Sequence, residues 1–352
     1  MATMKEKNGE GEITVRFDGK IDGVAVKINY AITLPEVIKP NVVDKLIAAP
    51  ISDSVSKTAD SPIISQNKII CAACNESFVA IAYDNNIIRI FDKKTKKIIS
   101  DIGHQKPNLK FMSFSQKNEQ LICCFVGITN DIIIYDINNG SVIVDLKNKY
   151  VVINGAITSF YVSPLGDGEI ILGTSTGEFS ILTQKLQLLI QQTKTNKMPI
   201  LYASFHNNMT TLLQENNIER RRHHPLEKDI ISTITYNNVS CITTSLDQKM
   251  IVSTTDGWIR IYQSGSQLIQ DPTGKNVFQS VVITPDDTRI ITLDDNRNIK
   301  VWNIETGTLE RDTHLPKFIT LIVATPDSNL ILIYSDSDVA LFNITNDAIT
   351  FY

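Results

Sequence analysis

Three sets of residues in this chain have the chemistry of active or binding sites. Five are cysteines, Cys71, Cys74, Cys123, Cys124 and Cys241. Cys71 and Cys74 have the C-x-x-C spacing that chelates a metal or cycles through a disulfide. Five are histidines, His104, His206, His223, His224 and His314, and no pair has H-E-x-x-H spacing or H-x-H spacing on a strand. The third set is the basic run Arg220, Arg221, Arg222, His223 and His224, with Lys228 close behind. Such a patch suits an acidic peptide or a phosphate. It has no interleaved aromatics, which argues against nucleic acid.

The elements that must carry these residues weaken the catalytic readings. Cys71 and Cys74 fall on an expected strand, where positions three apart point to opposite faces. No second C-x-x-C follows, and no helix N-terminus is near to acidify a thiol, so the pair reads as small buried hydrophobes. An odd cysteine count argues against a disulfide framework. No P-loop or G-x-G-x-x-G occurs, and the carboxylates gather at turns, where they serve the backbone. No catalytic residue, metal ligand or cofactor is expected, and nothing points to a small-molecule substrate. With a net charge of -4 and 42% apolar residues over 352 positions, the chain has no global pull toward nucleic acid or anionic lipid. No stretch approaches the roughly 20 apolar residues of a membrane helix. The N-terminal MATMKEKNGEGE lacks an apolar signal core, so a cytoplasmic or nuclear location is expected.

What organises the chain is a repeated phrase: apolar, any residue, apolar, an aromatic or its stand-in, then a small polar residue. Its anchors are Phe91, Tyr135, Leu182, Tyr262, Trp302 and Phe342. Tyr262, Trp302 and Phe342 are 40 residues apart, and 80 separate Leu182 from Tyr262, so a silent copy belongs at Arg222, in NNIERRRH. A period of about 40 with strand-like contents predicts an all-β, seven-bladed propeller of four-stranded antiparallel blades. Runs such as LICCFV and LILIY are apolar on both faces, as strands sandwiched between neighbouring blades must be. Thr284-Pro285-Asp286 and Thr325-Pro326-Asp327 fill equivalent corners.

The phrase NIKVWN, ending at Trp302-Asn303 and followed by IETG, resembles the WD-repeat family, and the resemblance covers about 69–352. In that family the third strand of each blade ends in Trp-Asp. The matching pairs here are Phe91-Asp92, Tyr135-Asp136, Trp302-Asn303 and Phe342-Asn343. The family's turn aspartate is matched by Asp84, Asp256, Asp295 and Asp336, and its Gly-His pair only by Gly103-His104. The family's structural hydrogen-bond network is therefore mostly absent. The resemblance implies partner peptides or domains bound on the loop faces of a divergent propeller.

Two regions are less regular. In the fourth blade, the third strand places Arg221 and Arg222 where other blades have Ile and an aromatic, and a buried unpaired guanidinium is costly. Either this segment is a degenerate solvated loop or its arginines emerge at a blade edge and find carboxylates. Ahead of the propeller (67–352), residues 1–66 read as an extension: a β-hairpin over 13–34 with turn residues at Asp18-Gly19 and Asp22-Gly23, a short helix over 42–49, and a linker over 50–62. The outer strand of blade seven is expected from the C-terminus, with Ile63-Ile64 as the competing filler.

Function is expected to be that of a non-catalytic scaffold for other proteins or peptides. Loops between second and third strands, carrying Asp84, Asp256, Asp294, Asp295, Asp336 and Asp338, would form one acidic rim. Loops between third and fourth strands, with His223 and His224, would open on the opposite rim. The alternatives are a sensor module of a larger signalling assembly and a propeller enzyme of lactonase or quinoprotein type. The enzyme would need convergent carboxylates and histidines at the central channel.

Overall fold

The computed structural model describes residues 67–352 with their side chains, apart from short stretches of which 223–232 and 270–276 are the longest. Before residue 67 it describes only the strand backbones Ala2–Lys5, Glu12–Ile21 and Val24–Thr33. The chain divides into two compact units, Met1–Ile63 and Ile64–Tyr352. In the first, the three strands form one antiparallel sheet. Ile21 lies opposite Val24 and Glu12 opposite Thr33, so the ladder runs unbroken through Asp18-Gly19, which pair with Lys27 and Val26. The turn expected at Asp18-Gly19 is absent, because alternation on both strands fixes one register and a turn there would break it. The strand Ala2–Lys5, which the sequence did not suggest, pairs on the other side of Glu12–Ile21. The expected helix over 42–49 and linker over 50–62 lie outside the described residues.

The second unit is the ring of seven four-stranded antiparallel blades that the repeat predicts. Each blade is one continuous run of chain, and its strands are hydrogen-bonded in sequence order. The first strands lie innermost: at five of the seven junctions those of consecutive blades approach one another around the centre. Among the described residues a single 3-10 turn, Leu146–Asn148, interrupts the all-β pattern.

Among the described residues the buried apolar side chains fall into seven clusters, each the face between two blades. Along any strand, alternate residues serve alternate interfaces. Ile122, Cys124, Ile132 and Ile134 of blade two pack against Ile170, Leu172 and Leu182 of blade three, while Leu121, Cys123, Ile133 and Tyr135 pack against Ala80, Ile88 and Ile90 of blade one. Two-sided burial is why these strands read as continuous apolar runs. The same rule separates the C-x-x-C pair. Cys71 lies in the core between blades one and two, and Cys74 packs on the core between blades seven and one. Burial pushes both thiols up to about 12, which leaves them protonated and unreactive.

Blade seven ends with the C-terminal strand Ile349–Phe351, paired to Val339–Asn343. The ring therefore closes without a strand exchanged between the chain's two ends. The seam is made of side chains and one inter-blade backbone bond. Val79, Ile81 and Phe91 pack against Leu332, Val339 and Leu341, and Ile69 N donates to Asp336 O at 2.7 Å. Tyr352 reaches across: its ring meets Phe91 edge-on at 5.9 Å, and its hydroxyl donates to Lys93 O at 2.8 Å.

Blade four is complete, which corrects the expectation of a degenerate loop. Its strands are Tyr202–His206, Met209–Gln214, Asn217–Arg222 and Ile230–Thr235. Its register differs from its neighbours. Thr210 lies opposite Arg221, whereas Met250 lies opposite Tyr262 and Ile290 opposite Trp302, a connection one residue longer. The structural counterpart of the aromatic anchor is thus Arg221, and the 40-residue count that selects Arg222 is off by one. A second mark agrees. Every fourth strand with a register irregularity has it just before the anchor, at Ile90/Phe91, Ile134/Tyr135, Ile181/Leu182 and Val301/Trp302, and in blade four at Arg220/Arg221. A one-residue slip exchanges the two faces of a strand. Glu219 and Arg221 accordingly lie on the side of Leu212, which packs on blade three. Ile218 lies with Leu213 on the side of blade five.

Candidate functional site

In blades one, two, three, six and seven the residue after the anchor holds the corner between third and fourth strands. Asp92 Oδ1 accepts from Lys94 N and Thr95 N, Asp136 Oδ1 from Asn138 N, Thr183 Oγ1 from Lys185 N, Asn303 Oδ1 from Thr306 N and Asn343 Oδ1 from Thr345 N, at 2.6 to 3.2 Å. A short side-chain acceptor tying down its own turn explains why Asp, Asn and Thr interchange there. The bonds from Thr95 hold the Asp92 carboxyl below its usual range.

The corners between second and third strands share one rim of the ring with the connections that link one blade to the next. This rim carries the carboxylates singled out by sequence, in three different states. Asp336 and Asp338 are matched by lysines from inter-blade connections: Lys68 Nζ sits 2.8 Å from Asp336 Oδ2, and Lys317 Nζ 2.5 Å from Asp338 Oδ1. Lys317 and Ser337 lower the Asp338 carboxyl. Asp84 accepts from Lys68 N at 3.1 Å. Asp256 and Asp295 are exposed and make no ion pair among the described residues, although Asp256 accepts from the Thr254 hydroxyl.

Asp294 is in the third state. It is 1% exposed, so it lies beneath the rim and not on it. It accepts from Asn296 N at 3.0 Å, Asn298 N at 2.8 Å and Asn298 Nδ2 at 3.0 Å, with Lys300 Nζ at 3.6 Å. Lys300 is itself fully buried. Asp294 ends its strand facing inward, and its neighbour Asp295 takes the exposed place in the turn.

Two further rim carboxylates escaped the sequence reading. Asp131 is met by Lys106 Nζ at 2.7 Å, which raises the lysine's pKa. Glu178, buried, accepts from Asn154 N and Nδ2 and from Gln191 Nε2 at 2.9 to 3.2 Å. Both begin a third strand instead of sitting in a turn, so a search for turn aspartates passes over them.

The basic run is divided by strand geometry. Arg222 is exposed, and Arg220 and Arg221 are half-buried on opposite faces. Arg221 pairs through Nε with Glu219 Oε1, two residues away on the same face. Burial lowers the pKa of both Arg220 and Arg221. The arginines therefore do not form one patch, and His223, His224 and Lys228 lie outside the described residues. Exposed basic residues gather elsewhere: the blade-one corner DKKTKK carries Lys93, Lys94, Lys96 and Lys97, the last three exposed. Four lysines in five positions was a legible signal that the search for catalytic types did not weigh.

The described histidines are scattered. His104 is buried, with Nδ1 2.8 Å from Lys106 O and its ring edge-on to Phe125, and burial lowers its pKa. His206 is hydrogen-bonded through Nε2 to the Tyr161 hydroxyl at 3.0 Å. His314 is exposed beside Asn298. Among the described residues no group of three or more His, Cys, Asp and Glu side chains is placed to hold a metal ion. Nor is any helix there long and apolar enough to cross a membrane.

No protein-family model matches the chain, and no curated protein matches it in sequence. Solved structures do match in fold. The beta-propeller domain of Cps50 (Swd1) from Myceliophteria thermophila superposes with a TM-score of 0.62 at 13% identity, over 82% of this chain and 96% of that one. The computationally designed Ika8 protein superposes with a TM-score of 0.61 at 15% identity, over 82% of this chain and 87% of that one. At such identities the likeness is one of architecture, and it places the chain among the β-propellers.

Proposed function

We propose that this chain is a non-catalytic interaction scaffold, a divergent propeller of the WD-repeat type, that binds partner peptides or domains on its loop faces. Supporting the type are the third strands that end in an aromatic and a turn-capping Asp or Asn, and the likeness of fold to the Swd1 propeller domain. The observation that carries the scaffold reading is the uneven neutralisation of the rim. Lysines from inter-blade connections match Asp336 and Asp338, while Asp256 and Asp295 on blades five and six stand exposed and unmatched among the described residues. Charge left unmatched on one arc of a rigid rim suits a basic or Ser/Thr-rich segment and steers its encounter.

The test combines partner identification with mutation. Proximity labelling and mass spectrometry name the main partner, and the variant D256A/D295A is then used to pull it down. Recovery falling several-fold at low salt, and by less at raised salt where screening already weakens the wild-type contact, supports the reading; undiminished recovery overturns it. The separate three-stranded unit before the ring favours one variant of this reading, in which the propeller is the sensing or regulatory module of a larger assembly.

A further inference from the structure

The flank of the ring, away from both rims, carries a surface with its own pattern. In each of the first three blades the fourth strand starts at its register irregularity with two apolar residues: Ile98-Ile99, Val142-Ile143 and Leu188-Leu189. All six are between 40% and 55% exposed. They occupy equivalent places on three consecutive blades, so they form a belt at one height around this side. The fourth strand is also the outer edge of its sheet, where exposed apolar residues are a liability that proteins normally suppress with charge.

Blade six shows that suppression. Its equivalent pair is Leu309-Glu310, and Glu310 binds Arg289 Nε and Asn303 Nδ2, each at 2.8 Å. The strand continues as ERDTH, with Arg311 paired to Asp347 at 3.0 Å. Blades one to three lack this cover. Adjoining the first apolar pair are Lys94, Lys96 and Lys97, exposed and without an ion pair among the described residues.

We propose that the flank of blades one to three is a docking surface for an acidic segment of a partner protein. Apolar side chains of that segment seat on the Ile98-Ile99, Val142-Ile143 and Leu188-Leu189 belt, and its carboxylates meet Lys94, Lys96 and Lys97. Charge complementarity selects this occupant over a second copy of the chain. An isologous pairing through the belt would set these lysines either against each other or against the blade-three corner Thr183-Gln184-Lys185-Leu186-Gln187, which offers no carboxylate. The surface is distinct from the acidic rim and does not depend on it.

The test is fluorescence anisotropy with the full chain and a labelled peptide of repeated Leu-Leu-Glu-Asp-Ser, against the same peptide with Lys for each acidic residue. The acidic peptide is expected to bind at least roughly tenfold more tightly than the basic one. The variant I99E/I143E/L189E, which installs the blade-six solution, should lose about tenfold in affinity. K94E/K96E/K97E should abolish the preference for the acidic peptide. Circular dichroism and melting curves confirm that these surface variants fold. Equal affinities for wild type and both variants, or no binding of the acidic peptide by wild type, would overturn the proposal. So would a wild-type dimer in sedimentation velocity that I99E/I143E/L189E dissociates, since the occupant is then a second copy.

Discussion

Blades four and six are built to one plan from contrasting residues. In blade six the anchor is Trp302, 1% exposed, its indole Nε1 donating to Thr292 Oγ1 at 3.0 Å and its ring edge-on to Phe278 at 6.5 Å. In blade four that place belongs to Arg221, held by Glu219. Two positions before the anchor, blade six buries Lys300 against Asp294, and blade four has Glu219 itself. The residue that closes the first strand is Thr284 in blade six, where its hydroxyl accepts from Arg289 N at 3.0 Å. The same place is taken by Ser245 in blade five, Thr325 in blade seven and His206 in blade four. A blade thus tolerates loss of its aromatic anchor and its hydroxyl cap, provided each replacement charge finds a partner on its own face. The ring supplies the rest, because both faces of every blade are covered by neighbours.

Removing the best-packed element should separate the two blades most. Trp302→Ala should cost roughly 3–5 kcal/mol in urea unfolding, through the cavity it leaves. A loss under about 1 kcal/mol would show that ring packing outweighs the anchor even in blade six. Next is the ion pair beneath the rim. Asp294→Ala should cost about 3 kcal/mol, since Lys300 loses its carboxylate in a fully buried place and two backbone N–H groups lose their acceptor.

His206 sharpens the contrast through pH. Burial depresses it to about 4, from an ordinary 6.5, and its Nδ1 is buried with no hydrogen-bond partner among the described residues. As pH falls from 6.5 toward 4 the unfolded chain binds this proton and the folded chain does not. Stability should therefore drop by up to roughly 3 kcal/mol across that window. His206→Ser, which restores the cap type of blade five, should flatten that part of the profile in denaturant titrations at pH 7 and pH 4.5. The smallest effects separate neighbouring residues in blade four. Glu219→Gln should cost about 1–2 kcal/mol by removing the carboxylate that pairs with a half-buried guanidinium, while Arg222→Ala, at an exposed position, should stay within about 0.5 kcal/mol.

The regular blades were legible because the same demand repeats. An anchor every 40 residues, a turn-capping residue after it and two-faced apolar runs each follow from packing one sheet between two others. Blade four was misread for an identifiable reason. Counting 40 from Tyr262 reaches Arg222, but the hairpin before it is one residue shorter, and no composition signal records a one-residue slip. Asp294 and Asp295 stand side by side in the sequence with the same turn chemistry. Only the pleat sends one inward to Lys300 and leaves the other in water. The lysine partners of Asp336 and Asp338 were hidden by distance along the chain, Lys68 coming from the opposite end of the ring.

By itself the sequence determined the number of blades, the strands of every blade but the fourth and the corners between them, because those depend on local alternation and turn chemistry repeated along one chain. Tertiary structure alone decided which face each side chain of blade four serves, which rim carboxylates are neutralised, and where apolar edges stay uncovered. Those outcomes depend on register and on partners many residues away, and a single unpaired position is enough to reverse them.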